Sequence, residues 1–516
     1  MKGRTLLPTR AEAVVAGVAA LLFAVSFPPF PFLVPAFVCL TPLAVAIARA
    51  ADGEGSARSA ARIGFWFGLL GYACALYWIA IALSLYTKLA ILGYAGAIIW
   101  LAPIVALSMA VLFWLRRATR MPMAVLLPLT WVSLELVLNY TSDLAFPWLP
   151  LGLATSRFPV LAQLADLSGV RGVSFWLAAS NGLLADAWLL RENRRAMLTR
   201  LGGVAALVIA VVGYGTYRMR ATVLRPVAPI AVVQPNIPQE EKWQAENQGR
   251  IVGILSDLTR RHLAESDAQL VVWPEVALPG YLADHPEWAD SLQALSRPTG
   301  VPILFGVLDV TFHRDGSYDY FNAALLTDQR GRLGAHQPYR KEFLVPVIER
   351  VPFVNPDWFK GMQYFGGYGR GDDPPPMMLP FGRIGVLICY ESVFPQLSRE
   401  YRRKGVDVLV NITNDAWFGR SIAPHQHESH IAIRAIENRV GIVRSANTGI
   451  SEYVDPLGRR HGVTPLFTAE TRTYRAETTD VETLYVRVGD WLGFGSFAGV
   501  LAILAGDWRR RRRARG

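Results

Sequence analysis

Apolar residues are unevenly spread along this chain, and that unevenness limits its possible folds more than any motif does. They crowd into residues 11–214 and 490–506 and leave 226–488 with the make-up of a water-soluble domain. At 52% hydrophobic over 516 residues, the whole is too apolar for an ordinary soluble protein and long enough for several domains. A helix needs about 20 apolar residues to cross a hydrocarbon core. Eight stretches approach that: about 11–27, 31–48, 63–84, 89–115, 121–139, 172–190, 199–215 and 488–506. Ser26-Phe-Pro-Pro-Phe-Pro31 is a tight proline turn, so the first two form either separate spans or one re-entrant hairpin. The basic start and first apolar run resemble a signal peptide, but further spans follow at once and no cleavage site is evident. A retained first helix is expected.

Charge sets the expected orientation. One set of loops holds Lys2, Arg4 and Arg10, then Arg49, Arg58 and Arg62, then Arg116, Arg117 and Arg120, then Arg191, Arg194, Arg195 and Arg200, and finally Arg509–Arg513 and Arg515. The alternate loops carry Lys88 alone, or Arg157 and Arg171. Cytoplasmic loops of membrane proteins are the Lys/Arg-rich ones. Both termini are therefore expected in the cytoplasm, with a transmembrane domain over 1–215, an exported domain over 216–488, and a last helix and basic tail over 489–516. The net charge of +11 belongs to this topology and gives no reason to expect nucleic acid. Phe146-Pro-Trp148-Leu-Pro150 reads as an aromatic belt at the outer interface.

In 226–488, short β-branched runs recur at Ile230–Gln234, Leu270–Trp273, Ile303–Gly306, Ile384–Ile388, Val408–Ile412 and Gly441–Ser445, with helical patterns at 244–265 and 425–439. Strand alternating with helix implies a layered α/β domain whose reactive groups gather at strand ends.

Three such ends carry chemistry. Cys39 and Cys74 fall in apolar spans, which leaves Cys389 as the one cysteine of the soluble part and excludes a disulfide framework there. A lone cysteine after an apolar strand is as often a small buried hydrophobe as a nucleophile. Glu275 follows Val-Val-Trp273-Pro274, where it is either a solvated loop charge or, if buried near a thiol, a usable base. Lys341, in Tyr339-Arg-Lys341-Glu342, is either a surface charge or a cation for a thiolate and an oxyanion. Glu349, eight residues on, is placed to hold that ammonium.

Taken together, Trp273-Pro-Glu275, Tyr339-Arg-Lys341 and Cys389-Tyr-Glu391 resemble the nitrilase superfamily with its Glu-Lys-Cys triad. Val233-Gln-Pro-Asn-Ile237, Lys242-Trp243, Leu344-Val-Pro346, Asn414-Asp-Ala-Trp417-Phe-Gly419 and Asn447-Thr-Gly449 narrow the resemblance to the apolipoprotein N-acyltransferases. The resemblance implies an α-β-β-α sandwich beside the helical membrane domain. It makes Glu275 the base, Lys341 the oxyanion cation and Cys389 the nucleophile. Glu349, Tyr390 and Glu391 become supporting or oxyanion residues, and Trp243, Trp358, Phe359, Asn414 and Trp417 pocket or lid residues. Val347-Ile348 stand where the family has Phe-Gly, and Glu342 where it commonly has His or Arg.

The implied partners are a glycerophospholipid acyl donor, a diacylglyceryl apolipoprotein acceptor and membrane lipids. No cofactor or metal is implied, and the expected state is a monomer in the bacterial inner membrane. His425-Gln-His427-Glu-Ser-His430 has the spacing of a metal cluster, but a helix-start or packing role is expected, because the thiol chemistry needs no metal. The glycine- and aromatic-rich 353–371 segment reads as a flexible apolar loop that either gates lipid entry or takes part in ordinary core packing. Three other functions stay open: a membrane-anchored amidase on a small C–N substrate, a transporter favoured by Glu135, Asp166 and Asp186, and an inactive binding module.

Overall fold

The computed structural model describes residues 7–85, 87–359, 366–373 and 375–514. The backbone packs as two units, one of Met1–Thr141, Phe146–Arg220 and Val488–Gly516, the other of Ser142–Ala145 and Ala221–Arg487.

All eight apolar stretches are helical in the first unit. The helices are Arg10–Ala24, Val34–Asp52, Ala57–Ala75 with Trp78–Ser84, Ala90–Thr119, Met123–Asn139, Val170–Leu189, Arg194–Ala221 and Trp491–Arg513. Among the described residues, four are long and apolar enough to cross a membrane: Val34–Asp52, Ala90–Thr119, Arg194–Ala221 and Trp491–Arg513. A fifth follows if the pair bent by 56° at Leu76-Tyr77 counts as one span. Arg10–Ala24 has only 15 residues and Met123–Asn139 only 17, about 22 and 26 Å at 1.5 Å per residue. Proline bounds both ends of this mismatch: Pro28, Pro29 and Pro31 follow the first helix, and Pro122 precedes the second.

Charges that would have favoured a transporter make local bonds instead. Asp186 accepts the first N–H groups of the Met123–Asn139 helix, from Met123 at 3.0 Å and Ala124 at 3.1 Å. Glu135 accepts from Trp131 Nε1 at 2.9 Å and from the Leu151 N–H at 2.8 Å. Asp166 pairs with Arg218 at 2.7 Å and accepts from the Tyr214 hydroxyl at 2.6 Å.

The second unit holds two sheets. Its strands are β1 (Arg225–Gln234), β2 (Leu270–Val272), β3 (Leu278–Tyr281), β4 (Ile303–Phe312), β5 (Tyr318–Leu326), β6 (Tyr339–Arg340), β7 (Met377–Leu379), β8 (Gly382–Ile388), β9 (Val408–Thr413), β10 (Gly441–Ala446), β11 (Glu452–Val454), β12 (Arg460–His461) and β13 (Glu470–Thr478). One sheet has the order β13-β1-β2-β4-β5-β6 with β3 beside β4, and the other β12-β11-β10-β9-β8-β7. β1, β2 and β4 run parallel, as do β8, β9 and β10.

Strand alternation divides each sheet into two buried faces. Ile230, Val232, Leu270, Val272 and Leu304 share a core with Val386, Ile388, Val408, Val410 and Ile412 of the other sheet. The intervening Ala231, Val233, Val271, Trp273 and Phe305 pack instead on Ile251 and Leu255 of helix Gln248–Leu263 and on Trp288 and Leu292 of helix Pro286–Thr299. Helices Pro395–Arg403 and Ala423–Asn438 contribute Leu397, Tyr401, Ile431 and Ala435 to the core on the second sheet's side. This is helix–sheet–sheet–helix layering. Burial on both faces explains why these strands read as continuous apolar runs. At about 1.5–3 kcal/mol per fully buried aliphatic side chain, the faces supply the main force that holds strand ends in place.

Candidate active site

The base candidate sits just beyond β2. Trp273 locks the strand end by donating from Nε1 to Thr259 Oγ1 at 2.9 Å. After Pro274 the backbone turns, and Val276 adopts a left-handed φ of 43°. β4 passes close beneath. A Cβ on Gly306 would stand 2.4 Å from Val276 N and 2.7 Å from Glu275 Cα, so only glycine fits there. Glu275 is 4% exposed. Its Oε1 accepts from Asn322 Nδ2 at 2.7 Å and its Oε2 from the Asn414 N–H at 2.9 Å.

Lys341 follows the two-residue strand β6, and its N–H donates to the carbonyl of Asn322 at 2.9 Å. Its Nζ donates to Glu349 Oε1 at 2.8 Å and lies 3.6 Å from Glu275 Oε1. Asn322 Nδ2 reaches Glu349 Oε1 too, at 3.1 Å, so one amide braces both carboxylates. Burial works against the Lys341 charge, but Glu349, Glu275 and Cys389 outweigh it and hold its pKa above the ordinary lysine value. The departure at Val347-Ile348 leaves a mark: Val347, a β-branched residue, takes a φ of 70°. Glu349 is nonetheless seated, with Oε2 accepting the Val345 N–H at 2.7 Å.

Cys389 directly follows β8 with a left-handed φ of 52° and is buried. Its carbonyl accepts from Ser392 Oγ at 3.0 Å and from His427 Nε2 at 3.0 Å. A carbonyl can only accept, which puts a proton on Nε2. His427 Nδ1 lies 2.9 Å from Asp415 Oδ1, and Asp415 Oδ2 pairs with Arg444 at 2.8 Å. All three of these side chains are fully buried. His427 thus grips the Cys389 backbone and is committed to protein partners. Among the described residues no cluster of metal-ligating side chains occurs. Burial, then the Glu275 charge, pushes the Cys389 thiol well above its usual pKa, with Lys341 opposing. At rest the sulfur is a thiol, and a base is required to make it a nucleophile.

The supporting candidates fall into distinct places. Glu391 is fully buried and accepts four bonds: Ile388 N–H at 2.7 Å, the Tyr339 hydroxyl at 2.7 Å, Glu342 N–H at 2.6 Å and Phe343 N–H at 3.2 Å. It braces the turns that carry Cys389 and Lys341. Tyr390 is buried, edge-on to Phe394 at 5.0 Å, with its hydroxyl donating to the Ala145 carbonyl at 2.9 Å. Asn414 meets Glu275 through its backbone, while its side chain donates to Gln239 Oε1 at 2.8 Å and accepts from Asn447 at 2.9 Å. Trp243 is half-buried and packs with Val276, Leu308, Tyr320, Leu344 and Tyr368. Trp417 is half-buried, and Trp358 is 77% exposed. The Phe359 side chain and the aromatics Tyr364 and Phe365 of the 353–371 loop lie outside the described residues.

Sequence reading did not pick out three features of this centre. They are Asn322, the meeting of Asp415 with His427 and Arg444, and the contact made by Lys242, which the sequence marks only within the Lys242-Trp243 pair: its Nζ donates to the Glu275 carbonyl at 2.9 Å. A polar amide inside the apolar run Tyr320–Leu326 was the available signal for Asn322.

Comparison with known proteins identifies the family. Residues 229–483 match the carbon-nitrogen hydrolase family, and residues 19–183 match the apolipoprotein N-acyltransferase N-terminal domain. An apolipoprotein N-acyltransferase of Geobacter metallireducens is 35% identical, covering 97% of this chain and 96% of that one. Another, from Methylococcus capsulatus, is 30% identical over 94% of this chain and 95% of its own length. With its nitrilase-type sandwich, its apolar helical unit and these relatives along nearly its full length, the chain belongs to the apolipoprotein N-acyltransferase family, a family of membrane-embedded acyltransferases in the nitrilase superfamily.

Proposed function

We propose that this protein transfers an acyl chain from a glycerophospholipid, through a thioester on Cys389, to the N-terminal amine of a diacylglyceryl-cysteine lipoprotein. The observation that carries the reading is the meeting of Glu275 and Lys341, 3.6 Å apart in a buried pocket where both interact electrostatically with Cys389. Glu275 takes the thiol proton. Sγ bonds to the ester carbonyl carbon, and the negative charge moves to the carbonyl oxygen. Lys341 and a backbone N–H beyond Cys389 stabilise it, one such donor being worth about 3 kcal/mol. Collapse breaks the ester C–O bond, and the leaving lysophospholipid oxygen takes the proton back from Glu275. The acceptor amine, with an unperturbed pKa of about 7.7–8.0, then attacks the thioester and gives its proton to Glu275. The C–S bond breaks, an amide forms, and the thiolate recovers a proton. This is a two-stage, ping-pong route.

Both substrates carry acyl tails and so arrive within a lipid layer, which gives the apolar helices a task in the reaction. The charge bias of the loops supports an inner-membrane topology with both termini cytoplasmic and residues 216–488 on the periplasmic side.

Intact-mass measurement of the purified protein after exposure to phospholipid tests the reading. Wild type should gain one fatty acyl mass, and Cys389→Ser none. Hydrolysis of small amides with no acyl gain would replace the reading with an amidase.

A further inference from the structure

Lys242 has no task in the mechanism above, yet it lies inside the catalytic centre. It ends the helical turn Gln239–Lys242 and is 3% exposed. Its Nζ donates to the backbone carbonyl of Glu275 at 2.9 Å, which leaves the carboxylate of that residue to Asn322 and Asn414. An ammonium has three N–H donors. Among the described residues, Lys242 bonds to that carbonyl alone, so two donors of a buried cation are unspent. Such donors carry a desolvation cost unless a ligand oxygen meets them.

Charge balance points the same way. Glu275 and Glu349 bring two negative charges, and Lys341 brings one positive charge. A thiolate formed by proton transfer from Cys389 to Glu275 would leave this set one charge negative. With Lys242 protonated the set is neutral before the transfer, after it, and when the charge reaches the carbonyl oxygen. The two titratable groups that act on Lys242 are Glu275, just beyond β2, and Cys389, just beyond β8; Glu275 favours its protonated form, and Cys389 does so once it is a thiolate. Burial works against them and brings its pKa down to about 8, within reach of the working pH. The buried carboxylate of Glu391 is occupied by four donors of its own.

We infer that Lys242 is a second catalytic ammonium, whose free N–H donors hold the negative charge that forms first on Cys389 Sγ and then on the carbonyl oxygen of the acyl donor. The inference rests on Cys389 being the nucleophile, as proposed above. It divides the load between the two lysines. Lys341, bonded to Glu349 and close to Glu275, fixes the carboxylates and supplies one positive charge to the oxyanion. Lys242, bonded only to a carbonyl, is available to the substrate.

The test uses the full-length protein in detergent and the rate of Cys389 alkylation by iodoacetamide as a function of pH. Wild type is compared with Lys242→Gln, Lys242→Met and Lys242→Arg, with thermal midpoints measured in parallel. Glutamine keeps a donor for the Glu275 carbonyl but has no charge. The expected result is that Lys242→Gln and Lys242→Met both raise the alkylation midpoint by about one pH unit, a drop of about tenfold in rate at pH 7.5. Thioester formation from phospholipid should fall at least as far, and Lys242→Arg should retain the wild-type midpoint. An unmoved midpoint in a folded Lys242→Gln overturns the inference, as does a loss confined to Lys242→Met, because Lys242 would then only anchor the Glu275 backbone. Alkylation needs no acyl donor. If phospholipid leaves no acyl mass on the wild type, the acyltransferase reading fails while the alkylation series still decides the role of Lys242.

Discussion

Glu349 Oε1 accepts a 2.8 Å hydrogen bond from Lys341 Nζ, and both groups are shut away from water. Removing one partner of a buried ion pair strands the other, at a cost of about 3–5 kcal/mol. Glu349→Leu should therefore lower stability by about that much, read as a shift in thermal midpoint. Glu349→Gln, which keeps an acceptor but not the charge, should cost less stability and still slow thioester formation by about a hundredfold. Wild-type rates in Glu349→Gln would mean that the carboxylate only fills space.

Asn322 braces Glu275 at 2.7 Å and Glu349 at 3.1 Å through one amide. Asn322→Ala leaves each carboxylate a donor short, at about 1–3 kcal/mol for an unsatisfied buried group. The rate of Cys389 acylation should fall about 10- to 100-fold with the KM for phospholipid little changed, because the defect lies in the base and not in substrate contact. A raised KM with an unchanged limiting rate would contradict this.

His427 predicts an acid-dependent stability. Burial first, then Arg444, holds its pKa below the ordinary imidazole value, against the pull of Asp415. The unfolded chain therefore binds more protons than the folded one below about pH 6.5. The stabilising contribution is present above that pH and is lost as pH falls toward the folded-state value. Thermal midpoints taken from pH 7.5 to 5 should drop in the wild type and drop less steeply in His427→Gln. Parallel curves would dismiss the protonation account.

Trp358 and Phe353 are 77% and 76% exposed. Large apolar side chains set this far out in a loop are suited to contact with acyl chains. Trp358→Ser should raise the KM for vesicle phospholipid several-fold, leaving thermal stability and the turnover of a short-chain soluble ester unchanged. An equal loss on both substrates would point to damage at the catalytic centre instead.

Much of the layered domain was readable because β1, β2, β4, β8, β9 and β10 are buried on both faces and so appear as apolar runs. β13 was not. Its Glu-Thr-Arg-Thr-Tyr-Arg-Ala-Glu-Thr sequence has only one buried face, at Tyr474, Ala476 and Thr478, and polar residues hide the alternation. The partnership of Lys341 with Glu349 could be anticipated because only eight residues separate them. His427 is expected in a helix-start or packing role despite its His-x-x-His spacing, but its partners, the Cys389 carbonyl and Asp415, come from other elements and have no local signal. The local signals at Asn322, a polar residue in an apolar run, and at Lys242, beside Trp243, do not say what either one contacts. Their meaning depends on which distant atoms the sheets bring to them.

The brace at Glu391 has a mechanical consequence. One of its oxygens holds the last residue of β8 and the other holds the end of β6, so a single carboxylate spans from one sheet to the other. Sulfur and ammonium thus keep a separation gauged locally, whatever slack the aliphatic filling between the layers develops. Changes of volume deep in that filling should alter how firmly the sandwich holds together while leaving the reacting atoms in register.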